Sequence, residues 1–320
     1  MSNNPNLLNK SLVFGLFLGL SAHLIWGSYP VIAKKLLLVL PPFALVAVGY
    51  TGVLILMSPV LVKHSWTQSL KNRSAWLLMF VGAVRMVTNI LSIQATRASY
   101  VQFINLLTPF VVAIVGRAFF REKIPPYTFS ALTVSSLGSI LVILREPSLS
   151  IFQDEWKLND TIGISLAMFS NIFLAFYVLL TRYEQTSHKI SSVVLFAQQS
   201  VVLMLTGFVA SFFLQENWYS WLRMSWEMWG LFIALLVVNL IAGNLIQINS
   251  LSLLGAALFT SLMGARLVAA LVLSAVLLSE PLKSGWQALG AFLVIGAVMV
   301  YMLLQTEVVK KKLLTTLPNN

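Results

Sequence analysis

A chain of 320 residues that is 58% hydrophobic and only 10% charged cannot cover a water-facing surface of its own size, so most side chains face lipid or one another. Its mean hydropathy is +0.86. Cysteine is absent and the histidines, His23, His64 and His188, are scattered, which excludes disulfide frameworks, thiolate metal sites and an imidazole cluster. The net charge of +11 sits mostly in short loops between apolar runs, where topology and anionic lipid headgroups account for it and nucleic acid does not.

A helix needs about 20 apolar residues to cross the hydrocarbon core. By that measure the sequence predicts ten transmembrane helices. In the first half they run from Leu12 to Ala33, Phe43 to Val62, Ala75 to Ala95, Ser99 to Phe119 and Tyr127 to Leu144. In the second half they run from Ile162 to Leu180, Val193 to Leu214, Trp229 to Ile248, Leu253 to Leu278 and Gly285 to Leu304. Lys10 ahead of the first run imitates a signal peptide, but the run is too long and nine more follow, so it reads as a retained span. Residues 145–161 are polar and acidic, and they read as a linker between residues 1–144 and 162–304, with a basic tail over 305–320.

The stretch from Ala98 to Leu144 organises this pattern. It is an apolar helix broken by Pro109, then the charged corner Arg121-Glu122-Lys123, then a second apolar run carrying Gly138. Moved 158 positions downstream it lies without a gap on Ala256 to Met302, so that Glu122 falls on Glu280 and Gly138 on Gly296. The spacing says that the unit was built twice. With five spans per unit, the second copy enters the membrane from the opposite side, and the predicted fold is all-α with two inverted five-helix repeats. With the N-terminus in the cytoplasm, inner segments carry Lys10, Lys63, Lys71, Arg73, Arg117, Arg121, Lys123, Arg182, Lys189 and Lys310 to Lys312. The outer set is smaller: Lys34, Lys35, Arg97, Arg145, Lys157, Arg223 and Lys283. This bias predicts a multi-pass protein of the plasma or inner membrane with both termini cytoplasmic.

The doubled hairpin resembles the drug/metabolite transporter superfamily in its EamA-type ten-helix form. Ala98-Ser99, Pro109, Glu122 and Gly138 carry the resemblance in the first copy, and Ala256-Ala257, Glu280-Pro281-Leu282, Gly290 and Gly296 in the second. The resemblance spans about Leu12 to Leu304 and implies two EamA-like repeats around a central cavity, and a secondary transporter, often an exporter of amino acids or related metabolites. Leu267 departs from it where a second proline is expected, and Arg266 is not part of the general family pattern.

Two arginines lie far from either surface, Arg85 in the third span and Arg266 in the ninth. A cation at the bilayer centre costs ~2.5–3.5 kcal/mol on insertion scales, and no Asp or Glu falls inside any predicted span to offset it. In the repeat register Arg85 faces Gly243 and Arg266 faces Thr108, which leaves room beside each guanidinium. The functional reading is that one or both bind the carboxylate or phosphate of a small-molecule substrate. The structural alternative caps them with helix-end carbonyls or with Asn105, Asn239 or Asn244. Asn89, Gln94, Asn244, Gln247 and Asn249 read as interhelical hydrogen-bonding groups, with Asn244 and Gln247 one turn apart on a candidate cavity face. His23, Trp26 and Tyr29 recur every three residues and share a face of the first span, as packing or as a binding wall. Gly15 and Gly19 form a helix-packing notch.

The predicted activity is export of a small zwitterionic or anionic metabolite, amino-acid-like, by alternating access. The alternatives are export of neutral, aromatic or cationic compounds and, further off, an intramembrane enzyme, for which no nucleophile, metal cluster or acid pair converges. No cofactor is expected. Membrane lipid surrounds the chain; a proton or other coupling ion, and a second copy in a homodimer, remain open as partners.

Overall fold

Proline punctuates the helices at positions its chemistry allows. In the computed structural model, which describes residues 5–62, 72–96, 98–120, 124, 126–144, 158–277 and 284–316, Pro42 opens one helix and Pro109 sits in the first turn of another. All regular structure among the described residues is helical. The order begins α1 (Pro5–Leu37), α2 (Pro42–Leu61), α3 (Arg73–Ala95), α4 (Ala98–Asn105), α5 (Thr108–Phe119), α6 (Thr128–Leu144), α7 (Leu158–Ser187) and α8 (Ser192–Phe213). A 3-10 turn (Trp218–Arg223) leads to α9 (Trp226–Ala234), a π-helical segment (Leu235–Gly243), α10 (Asn244–Leu254), α11 (Ala256–Ser261), α12 (Gly264–Leu277) and α13 (Gly285–Thr316).

Among the described residues, seven helical runs are long and apolar enough to cross a membrane. They meet the first three predicted spans and the sixth to ninth. The fourth predicted span is divided into α4 and α5, the fifth is the shorter α6, and the tenth falls within α13. Large apolar side chains such as Phe80, Phe212 and Val276 stand exposed around the bundle, as they must on a lipid-facing surface. Glu122, Glu280 and residues 145–157 of the expected linker lie outside the described residues.

Two expectations need correction. The sixth predicted span stopped at Leu180, yet α7 continues to Ser187 and buries Glu184 completely, so a carboxylate does lie within a helical span. The polar run Thr181 to Gln185 lowers the local hydropathy without ending the helix, which continues to Ser187; from this run Gln185 Nε2 donates to Ser192 Oγ at 3.1 Å. The second concerns the ninth predicted span, Leu253 to Leu278, written as one run in which Leu267 stands where the first copy has Pro109. The chain breaks there all the same, between α11 and α12, where Leu262 N and Met263 N bond back three residues to Phe259 O and Thr260 O at 3.2 and 3.0 Å.

The helices pair in a pattern that exchange of the two halves preserves. α3 lies along α7 as α1 lies along α10, α4 and α5 meet α7 as α12 meets α1, and α2 packs on α8 and α6 on α13. The contacts are backbone-close where glycine allows. A Cβ on Gly27 would come within 2.5 Å of Arg266 O on α12, and one on Gly15 or Gly19 would strike Leu254 or Leu262, so the small-residue notch receives α10 and the α11–α12 break.

One end of the bundle is fastened by charge. Lys34 Nζ donates to the Ile93, Gln94 and Thr96 carbonyls at 2.9, 2.9 and 3.0 Å, closing the C-terminus of α3. Pro41 and Pro42 leave α2 no side-chain cap of its own, and Glu216 from beyond α8 supplies it, accepting from Phe43 N at 3.0 Å and Ala44 N at 2.7 Å. Glu216→Ala removes this cap across the two halves and should destabilise the protein by about 1–2 kcal/mol, read as a lower unfolding midpoint in detergent.

Candidate functional site

Pro30 has no N–H to offer the carbonyl of Trp26 four residues back, and the surrounding helices supply the missing donors. Gln102 Nε2 on α4 donates to Trp26 O at 3.3 Å, and Asn239 Nδ2 on the π-helical segment donates to Ile25 O at 2.6 Å and to Ser28 Oγ at 2.8 Å. These bonds pin the middle of α1. They aim Trp26 and Tyr29, whose rings meet edge to face at 5.5 Å, into the space between the halves.

That space is a cavity walled by Trp26, Tyr29, Tyr50, Arg85, Asn89, Tyr177, Phe196, Gln199 and Asn244, with Met79, Gly82, Met86 and Leu203 completing the lining. It offers the centres of water molecules about 40 Å³. One water needs about 10–15 Å³ by that measure, so this conformation holds a few waters and no metabolite. The Arg85 guanidinium carbon stands 5.0 Å from the Tyr177 ring centre and 5.9 Å from that of Trp26, a cation–π arrangement. Among the described residues it donates no hydrogen bond and meets no carboxylate. Tyr177 Oη donates to Gln199 Oε1 at 2.7 Å, which leaves Gln199 Nε2 buried without an acceptor, and Trp26 Nε1 is likewise unpartnered. Asn244 Nδ2 is committed to Leu240 O at 2.7 Å, so its amide oxygen remains the acceptor on this wall.

Arg266 approaches the same indole, its guanidinium carbon also 5.9 Å from the Trp26 ring centre. It is buried and does not line the cavity. Its Nε donates to His23 Nδ1 at 2.8 Å and its Nη2 reaches Gln247 Oε1 at 3.5 Å. Because Arg Nε can only donate, His23 Nδ1 accepts, and the ring proton sits on Nε2, which donates to Phe259 O at 2.7 Å. One imidazole therefore spans the break between α11 and α12. The other half has a counterpart: Thr108 Oγ1, at the start of α5, donates to Asn171 Oδ1, while Asn171 Nδ2 donates to Ile104 O at 2.8 Å across the break between α4 and α5.

The residues singled out from sequence thus fall into two groups and one outlier. Arg85, Trp26, Tyr29 and Asn244 line the cavity. Arg266, His23 and Gln247 form the adjoining buried cluster. Asn105 closes α4 and lines no part of the cavity. Sequence reasoning missed Tyr50 and Gln199, although Gln198-Gln199 is a polar pair inside an otherwise apolar span and carried the same signal as the asparagines.

Residues 13–144 match the family of EamA-like transporters. Among solved structures 28 chains match. One of them, titled only as the crystal structure of a protein, aligns over 92% of this chain and 99% of its own with a TM-score of 0.68. Their identity is 16%, so the likeness is one of fold. No curated protein matches the chain.

His23→Ala would leave Arg266 Nε without its acceptor in the buried interior and the Phe259 carbonyl with Leu262 N as its one donor. A loss of about 1.5–3 kcal/mol is expected, measured as a drop in the unfolding midpoint of the purified protein, with a smaller drop for the exposed His188→Ala.

Proposed function

With residues 13–144 falling in the EamA-like transporter family, a membrane transporter family of the drug/metabolite type, we propose that this chain is a secondary transporter of a small zwitterionic or anionic solute, amino-acid-like in its chemistry. The observation that carries the reading is the set of hydrogen-bond donors left without acceptors at the cavity. The Arg85 guanidinium, Gln199 Nε2 and Trp26 Nε1 all present N–H groups, and a carboxylate is the ligand that answers them. The aromatic rings around Arg85 and the Asn244 amide oxygen suit the ammonium and apolar parts of such a solute.

The pairing of helices supports ten spans in two inverted five-helix repeats, residues 1–144 and 162–304, joined by a linker over 145–161 and followed by the tail 305–320. α10 stands to α1 as α3 stands to α7. Such halves suit alternating access, because each can adopt the other's conformation. The small cavity volume fits a contracted state that admits cargo only when the halves part. With the N-terminus in the cytoplasm, Lys34 and Glu216 fasten the outer end. The direction proposed is export, from the plasma or inner membrane with both termini cytoplasmic.

The aromatic lining of Trp26, Tyr29, Tyr50, Tyr177 and Phe196 favours, as second reading, a neutral or aromatic cargo. A thermal-shift screen of the detergent-purified protein separates the two. Amino acids and small carboxylates should raise the unfolding midpoint of the native chain and fail to do so in Arg85→Ala, while Arg85→Lys keeps a partial shift. Stabilisation by lipophilic cations or neutral aromatics alone, unaffected by Arg85→Ala, would overturn the carboxylate reading.

A further inference from the structure

Two helical turns beyond Tyr177 on the same face of α7, buried oxygen atoms accumulate without a hydrogen-bond partner: Thr181 Oγ1, both carboxylate oxygens of Glu184, and Gln185 Oε1. Thr181 and Glu184 are both completely buried. Residues spaced i, i+3 and i+4 share one helical face, so these oxygens gather within one turn. The Gln185 amide is held in its orientation, because its Nε2 donates to Ser192 Oγ at 3.1 Å and Ser192 Oγ donates on to Asn249 Oδ1 at 2.6 Å.

Among the described residues, the charged and titratable groups at this end of the bundle do not supply the missing partner. Arg182, on the same helix, directs Nη1 to Leu251 O at 3.5 Å, and Tyr183 packs its ring against His188 and Phe120. His188 faces Ser74 Oγ at 3.5 Å; Arg73 on α3 and Arg117 on α5 are exposed. α8 and α10, packed on the other sides, contain no charged residue.

We propose that Thr181, Glu184 and Gln185 bind a monovalent metal cation of the size of sodium. Every orphaned atom is a hard oxygen acceptor, the ligand type that alkali and alkaline-earth cations take. A proton would satisfy one of these oxygens, whereas a metal ion satisfies several together. The single carboxylate matches a single positive charge, so the filled site is neutral inside the bundle. Resting on the transporter reading, the cation is the coupling ion. The cavity and the cation site share α7: Tyr177 lines the former, and Thr181 and Glu184 follow it at i+4 and i+7, about 10 Å along the axis. Gln199 of α8, bonded to Tyr177, joins the two sites, so an ion that tightens α7 against α8 acts directly on the wall of the cavity.

The experiment compares unfolding midpoints of the full chain in detergent with sodium chloride and with choline chloride at equal ionic strength and fixed pH. The native protein should show a saturable, sodium-specific rise. Glu184→Gln should abolish it and Thr181→Val should shift it to higher sodium concentration. Arg85→Ala should leave it intact, which separates failure of the cation site from failure of the cargo assignment. An equal response to choline overturns the proposal, as does a sodium response that survives Glu184→Gln. A stabilisation that follows pH alone and vanishes in Glu184→Gln assigns the carboxylate to a proton and overturns the metal site. Should Glu184→Gln not fold, an unchanged sodium response in Thr181→Val overturns it.

Discussion

A helix in hydrocarbon cannot leave a carbonyl unanswered, and this fold is arranged around the places where its helices do release one. Pro30 frees Trp26 O, which Gln102 answers. At the two breaks the carbonyls Phe259 O and Ile104 O keep only an i+3 backbone donor, Leu262 N and Leu107 N, and each takes a second donor from another helix, His23 and Asn171. Each answering side chain comes from another helix, so every irregularity in one helix is also a fastening between helices. Pro59 gives the local exception, since Ile55 O accepts from Ser58 Oγ at 2.8 Å within α2 itself.

Against that background the groups left without partners stand out. The amides that brace α1 spend their N–H groups on it and keep an unpartnered oxygen, Gln102 Oε1 and Asn239 Oδ1, whereas at the cavity it is the donors Trp26 Nε1 and Gln199 Nε2 that lack partners. Two orphaned donors stand at the cavity, and four orphaned oxygens gather one to two turns along α7 from Tyr177, on Thr181, Glu184 and Gln185. That grouping is why the two sites are proposed to take ligands of opposite charge.

Much of this was legible in the sequence because it follows from period and spacing. Pro109 marked the break between α4 and α5, and the three-residue recurrence of His23, Trp26 and Tyr29 predicts one side of α1, from which Trp26 and Tyr29 line the cavity and His23 joins Arg266. Leu267 misled because a break needs unanswered carbonyls and a partner to meet them, and proline is only one way of producing the first. Glu184 was lost because a hydropathy window ends at a polar run, whereas the helix ends only when its backbone bonds do. The division of Arg85 from Arg266 was illegible for a different reason. Both are lone cations in apolar spans, and which of them has a partner depends on the histidine 243 positions away in the chain.

The two halves answer their breaks with different chemistry, and the difference bears on the cavity. Thr108 is neutral where Arg266 is charged, so the second half places a buried guanidinium beside Trp26 while Arg85 approaches the same ring from the cavity lining. Each guanidinium carbon is 5.9 Å from the indole centre, so their separation is at most twice that distance. At an effective dielectric of about 20 the mutual repulsion is then roughly 1 kcal/mol or more. Arg266 is held by His23 and Gln247, neither of which neutralises it, and the Trp26 ring face attracts both cations without cancelling either. An anion arriving at Arg85 turns this repulsion into attraction from both guanidinia, whereas a cation adds a third positive charge. On the proposed reading the buried arginine thus favours an anionic group at the cavity without lining it, and Thr108 gives it no charged counterpart.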